Sequence, residues 1–245
     1  MGVTERRQRE KEVRRELVID AAMAIYAEEG YHAITMEKIA ERSEVSRAAL
    51  YIYFKNKEEI VLSAIVSHAD YFAGLLQGVY EKRESIEENL FEELWKCYWA
   101  FYEKDPVTFS AWQYLHQREM VTNLSQEFRD ILYEVGSKVV GLQHKIVGYG
   151  VTEQIFIQCD PRTLAEVIWS AFLGIVYTER SKHRLSHKNH MAVTMDTARQ
   201  VLSQGVLRPS RKKAGDGETA CRTNHAMQNE GEPVKIISTN EKEEP

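Results

Sequence analysis

Between positions 36 and 59 the chain reads MEKIAERSEVSRAALYIYFKNKEE, and its polar side chains are spaced as a reader of a polyanion would space them. Ser46 is placed to cap a short helix that begins at Arg47, because a serine oxygen accepts from the orphan amides of a first turn. Arg47 is the one side chain on that helix whose planar fork matches O6 and N7 of a guanine, a pairing worth about 1–3 kcal/mol of base discrimination. Lys57 stands at the first position of the following helix, where a cation opposes the helix dipole by roughly 0.3–1 kcal/mol. That placement makes sense where a phosphate sits over the helix end; the plain alternative is a solvated lysine. Tyr51, Tyr53 and Phe54 cannot all face inward from one short helix, so at least one phenol faces outward, while Leu50 and Phe54 belong to a core.

These residues need a scaffold, and the flanking sequence supplies one. Apolar positions recur at helical spacing over 13–29 and stop at Gly30, a C-cap residue. Residues 1–12 alternate basic and acidic groups without apolar periodicity and read as a frayed helix start or an arm. Thr35 caps a second helix running to about position 43, with Ile34 and Ile39 as a hydrophobic staple. Val45 plugs the turn, Arg47 to Ile52 form the third helix, and Asn56 with Glu59 forms a capping box for a fourth. Helix, tight turn, helix is the geometry that enters a major groove.

The segment 17–60, above all SRAALYIYFKNKEEI from Ser46, resembles the DNA-binding domain of the TetR/AcrR family of one-component transcriptional regulators. The resemblance covers about the first quarter of the chain and rests on the capped third helix with Leu50, Tyr51, Tyr53, Phe54 and Lys57 at the family's spacing. It implies groove contacts from Arg47 and Ala49 and backbone contacts from Thr35, Ser46, Tyr51, Tyr53 and Lys57, with Ala48 on the same approach. Glu44 and Ala48 stand where the family commonly has glycine. A left-handed backbone at Glu44 would cost about 1 kcal/mol.

Beyond the reading head, periodicity predicts helices over 60–79, 85–103, from Pro106 through 115, 124–147, 161–182 and 189–204, with Gly148 and Gly150 stopping the fourth of these. Asp160 followed by Pro161 is a strong helix start. No strand-like alternation occurs. The expected fold is all-α: a three-helix helix-turn-helix domain over 1–55, a larger helical effector-binding and dimerisation domain over 56–207, and a disordered polar tail over 208–245.

Small residues among apolar ones, Ser170, Ala171 and Gly174 beside Val167 and Ile175, suit close helix approach between subunits. The resemblance pairs the last two helices of each chain in a dimer, giving Val167, Ala171, Gly174, Ile175, Met195, Ala198, Val201 and Leu202 as interface candidates and a palindromic operator as the target. A dense aromatic cluster offers walls for a hydrophobic or aromatic effector. Its candidates are Trp95, Tyr98, Trp99, Tyr102, Phe109, Trp112, Trp169 and Phe172, with His116 and His144 as polar anchors.

Other chemistries are absent from the sequence. No phosphate loop, nucleophile elbow, zinc-binding histidine pair or dinucleotide fingerprint occurs, so neither an enzyme nor a bound cofactor is expected. His183, His187 and His190 are interleaved with Lys182, Arg184 and Lys188 and read as a solvated basic linker, not a metal site. Three cysteines in 245 residues form no framework and fit a reducing cytoplasm. The longest apolar run, 167–177, is far too short to cross a bilayer. Because 32 basic residues face 37 acidic ones, nucleic-acid affinity must be local and not a bulk field. The competing reading is an architectural or partner-binding helical protein with non-specific DNA binding.

Overall fold

A computed structural model describes residues 3–116, 124–186 and 189–208. Among them nine α-helices follow one another: α1 Val3–Glu29, α2 Met36–Arg42, α3 Arg47–Tyr53, α4 Lys57–Lys82, α5 Leu90–Lys104, α6 Pro106–His116, α7 Gln126–Thr152, α8 Pro161–Ser186 and α9 Met191–Val206. The fold is all-α, and the only β-type pairing among the described residues is an isolated bridge between Phe156 and Leu207. The tail over 209–245 lies outside the described residues.

Two cores share one helix. Val18, Ala22, Ile25, Ile34, Ile39, Leu50 and Phe54 close over Ile60, Val61 and Ile65 from the first half of α4. Phe72, Leu76 and Val79 from its second half join α5, α7 and α8 in the larger core. Residues up to Arg208 accordingly form one compact unit, with no break at position 55. Residues 57–85 are apolar and long enough to cross a membrane by length and composition, but 56% of that apolar window is buried within the chain. The apolarity of α4 is what two cores on one rod require.

Local chemistry explains most boundaries. Thr35 accepts from Lys38 N at 3.2 Å, Ser46 from Ala49 N at 3.2 Å and Asn56 from Glu59 N at 2.8 Å. The Glu59 carboxylate reaches back to Lys55 N at 2.9 Å and not to the cap residue itself, so the expected capping box closes one residue early. Asp160 accepts from Thr163 N at 2.8 Å, and that bond, followed by the one from the Thr163 hydroxyl, holds its carboxyl below the usual carboxylate range.

Two boundary expectations are corrected. Helix α1 starts at Val3 and not near position 13, because i,i+4 pairs such as Arg6 to Glu10 at 2.9 Å and Gln8 to Glu12 at 2.8 Å support a helix that has no apolar face. Gly148 and Gly150 do not stop α7, which runs to Thr152. A Cβ on Gly150 would lie 2.4 Å from the Phe156 ring; the glycine is a seat for that ring, which is fully buried.

Candidate nucleic-acid interface and effector domain

Helices α1, α2 and α4 are braced against one another by side-chain bonds. Arg42 forks onto Glu28 at 2.5 and 2.6 Å, and Lys38 meets Glu29 at 2.7 Å, tying α2 to the end of α1. Arg15 donates to Ser63 Oγ at 2.8 Å and lies 5.0 Å over the Phe54 ring, tying α1 to α4 beside the end of α3. Leu50 and Phe54 are buried, so the remaining face of α3 turns outward.

On that face Ser46, Arg47, Ala48 and Tyr51 are exposed, and Ala49 and Tyr53 are half-buried. Tyr53 packs against the small core, whereas Tyr51 is 50% exposed and supplies the outward phenol. Thr35 is exposed, and both it and Ser46 use their oxygens as acceptors for caps; the Thr35 hydroxyl also donates to the Glu37 carboxylate, whereas the Ser46 hydroxyl proton is left for a phosphate oxygen. Arg47 is exposed but engaged: its guanidinium meets Glu37 of α2 at 2.6 Å. Glu37's carboxyl is held below its usual range by backbone hydrogen bonding first and by Arg47 second.

Lys57 is not the solvated, partnerless lysine of the plain alternative. Its ammonium donates to Ile34 O at 3.0 Å and sits 4.7 Å from the centre of the Tyr31 ring. Tyr31 in turn donates to Glu58 at 2.9 Å, and burial, then that bond, raise its phenol pKa. The lysine is half-buried and partnered within the chain. Sequence reasoning missed Ile52, 75% exposed one turn beyond Ala48 on the reading face. Its signal was an apolar residue at i+4 from an outward alanine.

The aromatic cluster of the larger domain is closed. Trp95, Tyr98, Phe109 and Phe172 are buried in the core and pack ring against ring, and none of them borders the open cleft between α5 and the α8–α9 junction. The reason is geometric: Trp169 stacks on Phe172 at 5.7 Å and 13°, Phe72 stacks on Phe101 at 4.3 Å, and Tyr98 meets Trp169 edge-on at 4.9 Å. The Tyr98 hydroxyl, the polar handle of the cluster, is satisfied by Gln143 at 2.7 Å. Half-buried Trp112 bridges the two cores. His144 lies near Asp160 at the start of α8, and His116 is outside the residues whose side chains are described.

Of the expected set, Trp99 and Tyr102 border an open cleft of about 640 Å³ between α5 and the α8–α9 junction. His183 and His190 also border it, while His187 and Lys188 lie outside the described residues. No cluster with metal-ligand character exists among the described residues.

Helices α8 and α9 present apolar residues outward. Val167 is 52% and Val201 63% exposed, and Gly174 faces open space. Ala171, Ile175, Ala198 and Leu202 are half-buried beside them. Met195 is instead buried in the chain's own core, because it falls on the opposite stripe of α9 from Val201. Tyr177 and Val193 extend the outward stripes and were missed, although their three- and four-residue steps were legible.

The arrangement defines an all-helical protein with an amino-terminal helix-turn-helix. The profile of bacterial regulatory proteins of the tetR family matches residues 18–64 of this chain. The fatty acid metabolism regulator protein of Bacillus subtilis (strain 168) is 34% identical over 73 residues, 30% of this chain and 38% of that protein. The negative transcriptional regulator of the icaADBC biofilm operon from Staphylococcus epidermidis is 30% identical over 79 residues, 32% of this chain and 42% of that protein. The chain thus spans well under half the length of these two relatives. The structure of the regulator FadR from Bacillus subtilis, in complex with stearoyl-CoA, superposes with a TM-score of 0.59 at 22% identity, covering 78% of this chain and 98% of that one. At that identity the likeness speaks for the fold.

Proposed function

We propose that the protein is a sequence-specific, homodimeric DNA-binding transcriptional regulator of the cytoplasm, a repressor released from a palindromic operator by a small apolar effector. The reading divides the chain into a reading head over 1–55 and an effector and dimerisation domain over 56–207. The observation that carries it is the outward face of α3, where Arg47, Ala48, Tyr51 and Ile52 are presented by a helix whose opposite face is locked by Leu50 and Phe54. An arginine beside small and apolar residues is suited to guanine edges and thymine methyls. Thr35, Ser46, Ala49, Tyr53 and Lys57 complete the proposed contact set. The exposed stripes of α8 and α9 are the proposed dimer face, which would carry two heads to two half-sites. Catalysis has no part in this reading.

The sign of regulation is supported by the Staphylococcus negative regulator, and the effector class by FadR, whose complex makes acyl thioesters the first compounds to assay. Footprinting on the DNA upstream of the gene tests the reading. We expect a discrete protected palindrome, and Arg47→Ala should equalise affinity for operator and scrambled duplex. Equal binding of the unsubstituted protein to both duplexes across a salt titration would establish the architectural alternative. Val201→Asp should yield single chains that lose operator binding.

A further inference from the structure

The cleft over Trp99 and Tyr102 is chemically lopsided. Its aromatic wall consists of two half-buried rings 5.5 Å apart, tilted at 44°, in a domain whose other aromatics are mostly packed shut. Across from that wall stand Arg180, His183, Arg184 and His190. Two carboxylates also border it, Glu103 and Glu179. Glu179 is partly matched within the chain: it is 2% exposed, its Oε1 is held by Lys182 at 2.8 Å and Thr194 at 3.0 Å, and its Oε2 is buried without a hydrogen-bond partner among the described residues. Arg180 gives one N–H to Pro106 O at 3.0 Å, and no ion pair joins Arg180 or Arg184 to a carboxylate among the described residues. The two guanidiniums are four residues apart on α8, so without an anion between them they repel. A second, smaller cleft of about 160 Å³ lies on the other flank of the same two arginines, lined by Tyr26 of α1 and by Ser110, Gln113 and Tyr114 of α6.

We propose that the larger cleft receives an amphiphilic anion, its apolar body against Trp99 and Tyr102 and its carboxylate, phosphate or sulfonate between Arg180 and Arg184. A guanidinium pair is the side-chain chemistry best matched to such a head group, and rings at that tilt accept a flat or branched body. The volume suits a ligand of metabolite size. This deepens the reading of the larger domain as effector-binding and rests on it for the regulatory consequence alone. An anion that draws Arg180 off Pro106 O loosens the first turn of α6, the helix that touches the reading head.

The test uses the full chain without DNA and two fluorescent probes, the anionic 8-anilinonaphthalene-1-sulfonate and its neutral counterpart N-phenyl-1-naphthylamine. One sulfonate site per chain is expected. Arg180→Gln with Arg184→Gln should weaken the sulfonate about tenfold or more, since it removes charge-assisted hydrogen bonds, and leave the neutral probe within about twofold. Arg180→Lys with Arg184→Lys, which keeps charge and bulk, should retain the sulfonate to within about threefold. Unchanged sulfonate affinity in the glutamine pair, or parallel loss of both probes, overturns the proposal. Arginine-dependent binding in a protein that protects no upstream DNA would support the cleft and sink the regulator reading, so the two fail separately.

Discussion

The guanidinium of Arg47 and the carboxylate of Glu37 meet at 2.6 Å across the turn between α2 and α3. The side chain best suited to reading a base is thus held by its neighbour until something competes for it. Both groups are more than half exposed, so solvent screens the pair and a phosphate can compete for the arginine. Glu37→Gln should tighten DNA binding about two- to fivefold at low salt, as fluorescence anisotropy with a labelled upstream duplex would register. Unaltered affinity would mean that Arg47 keeps its acidic partner on DNA.

Lys57 links the turn after Tyr31 to the start of α4 through Ile34 O and the Tyr31 ring. Its loss removes a hydrogen bond and a cation–π contact, together about 1 kcal/mol. Lys57→Ala should lower the midpoint of thermal unfolding by about 3 °C and weaken all duplexes alike. A variant weak on DNA with unaltered melting would confine the lysine to the phosphate role.

Arg7, Lys11 and Arg14 recur at steps of four and three along the solvated part of α1, on the line continued by buried Val18 and Ile25. Three exposed cations on one line are suited to a polyanion. Replacing all three with glutamine should shallow the slope of log affinity against log salt by about 2–3, since each neutralised phosphate contributes about 0.9. An unaltered slope would leave the stripe as solvated surface.

His68 is buried on α4, stacked 4.3 Å from Phe101. Burial first, with Lys104 as a lesser cause, lowers its pKa from 6.5, against the opposing pull of Asp105. The unfolded chain therefore binds a proton at higher pH than the folded one. The stability that neutral His68 permits is fully present above pH 6.5 and is lost as pH falls from 6.5 toward the depressed folded value. Urea midpoints should drop across that window, and His68→Phe should flatten the drop.

Glu44 adopts φ 54 in the turn, the left-handed backbone that the family's usual glycine would take there without strain. Glu44→Gly should raise stability by about 0.5–1 kcal/mol, the relief of the side-chain clash less glycine's unfolded entropy. Chemical denaturation would measure it.

What was legible in the sequence followed local rules. Thr35, Ser46 and Asn56 marked three helix starts because a cap is a bond between near neighbours. What was illegible depended on distant partners. Gly150 looked like a stop, but its role is set by Phe156 arriving after the helix ends. Composition announced an aromatic cluster without telling packed rings from a lined cavity, and the difference lies in how Trp169 stacks on Phe172. Met195 and Val201 are equally apolar letters, and only the packing of α9 sends one inward and the other out.

Helix α6 is a lever. Its first residue, Pro106, is gripped by Arg180 at 3.0 Å, and near its other end Tyr114 meets His32 at 3.0 Å and lies 5.4 Å from Tyr31. At 1.5 Å per residue its eleven residues span about 16 Å. A tilt of about 10° at the arginine end would swing the tyrosine end by about 3 Å, close to the rise of one base pair. A disturbance no larger than the loss of one hydrogen bond could then put a reading head out of register with its half-site.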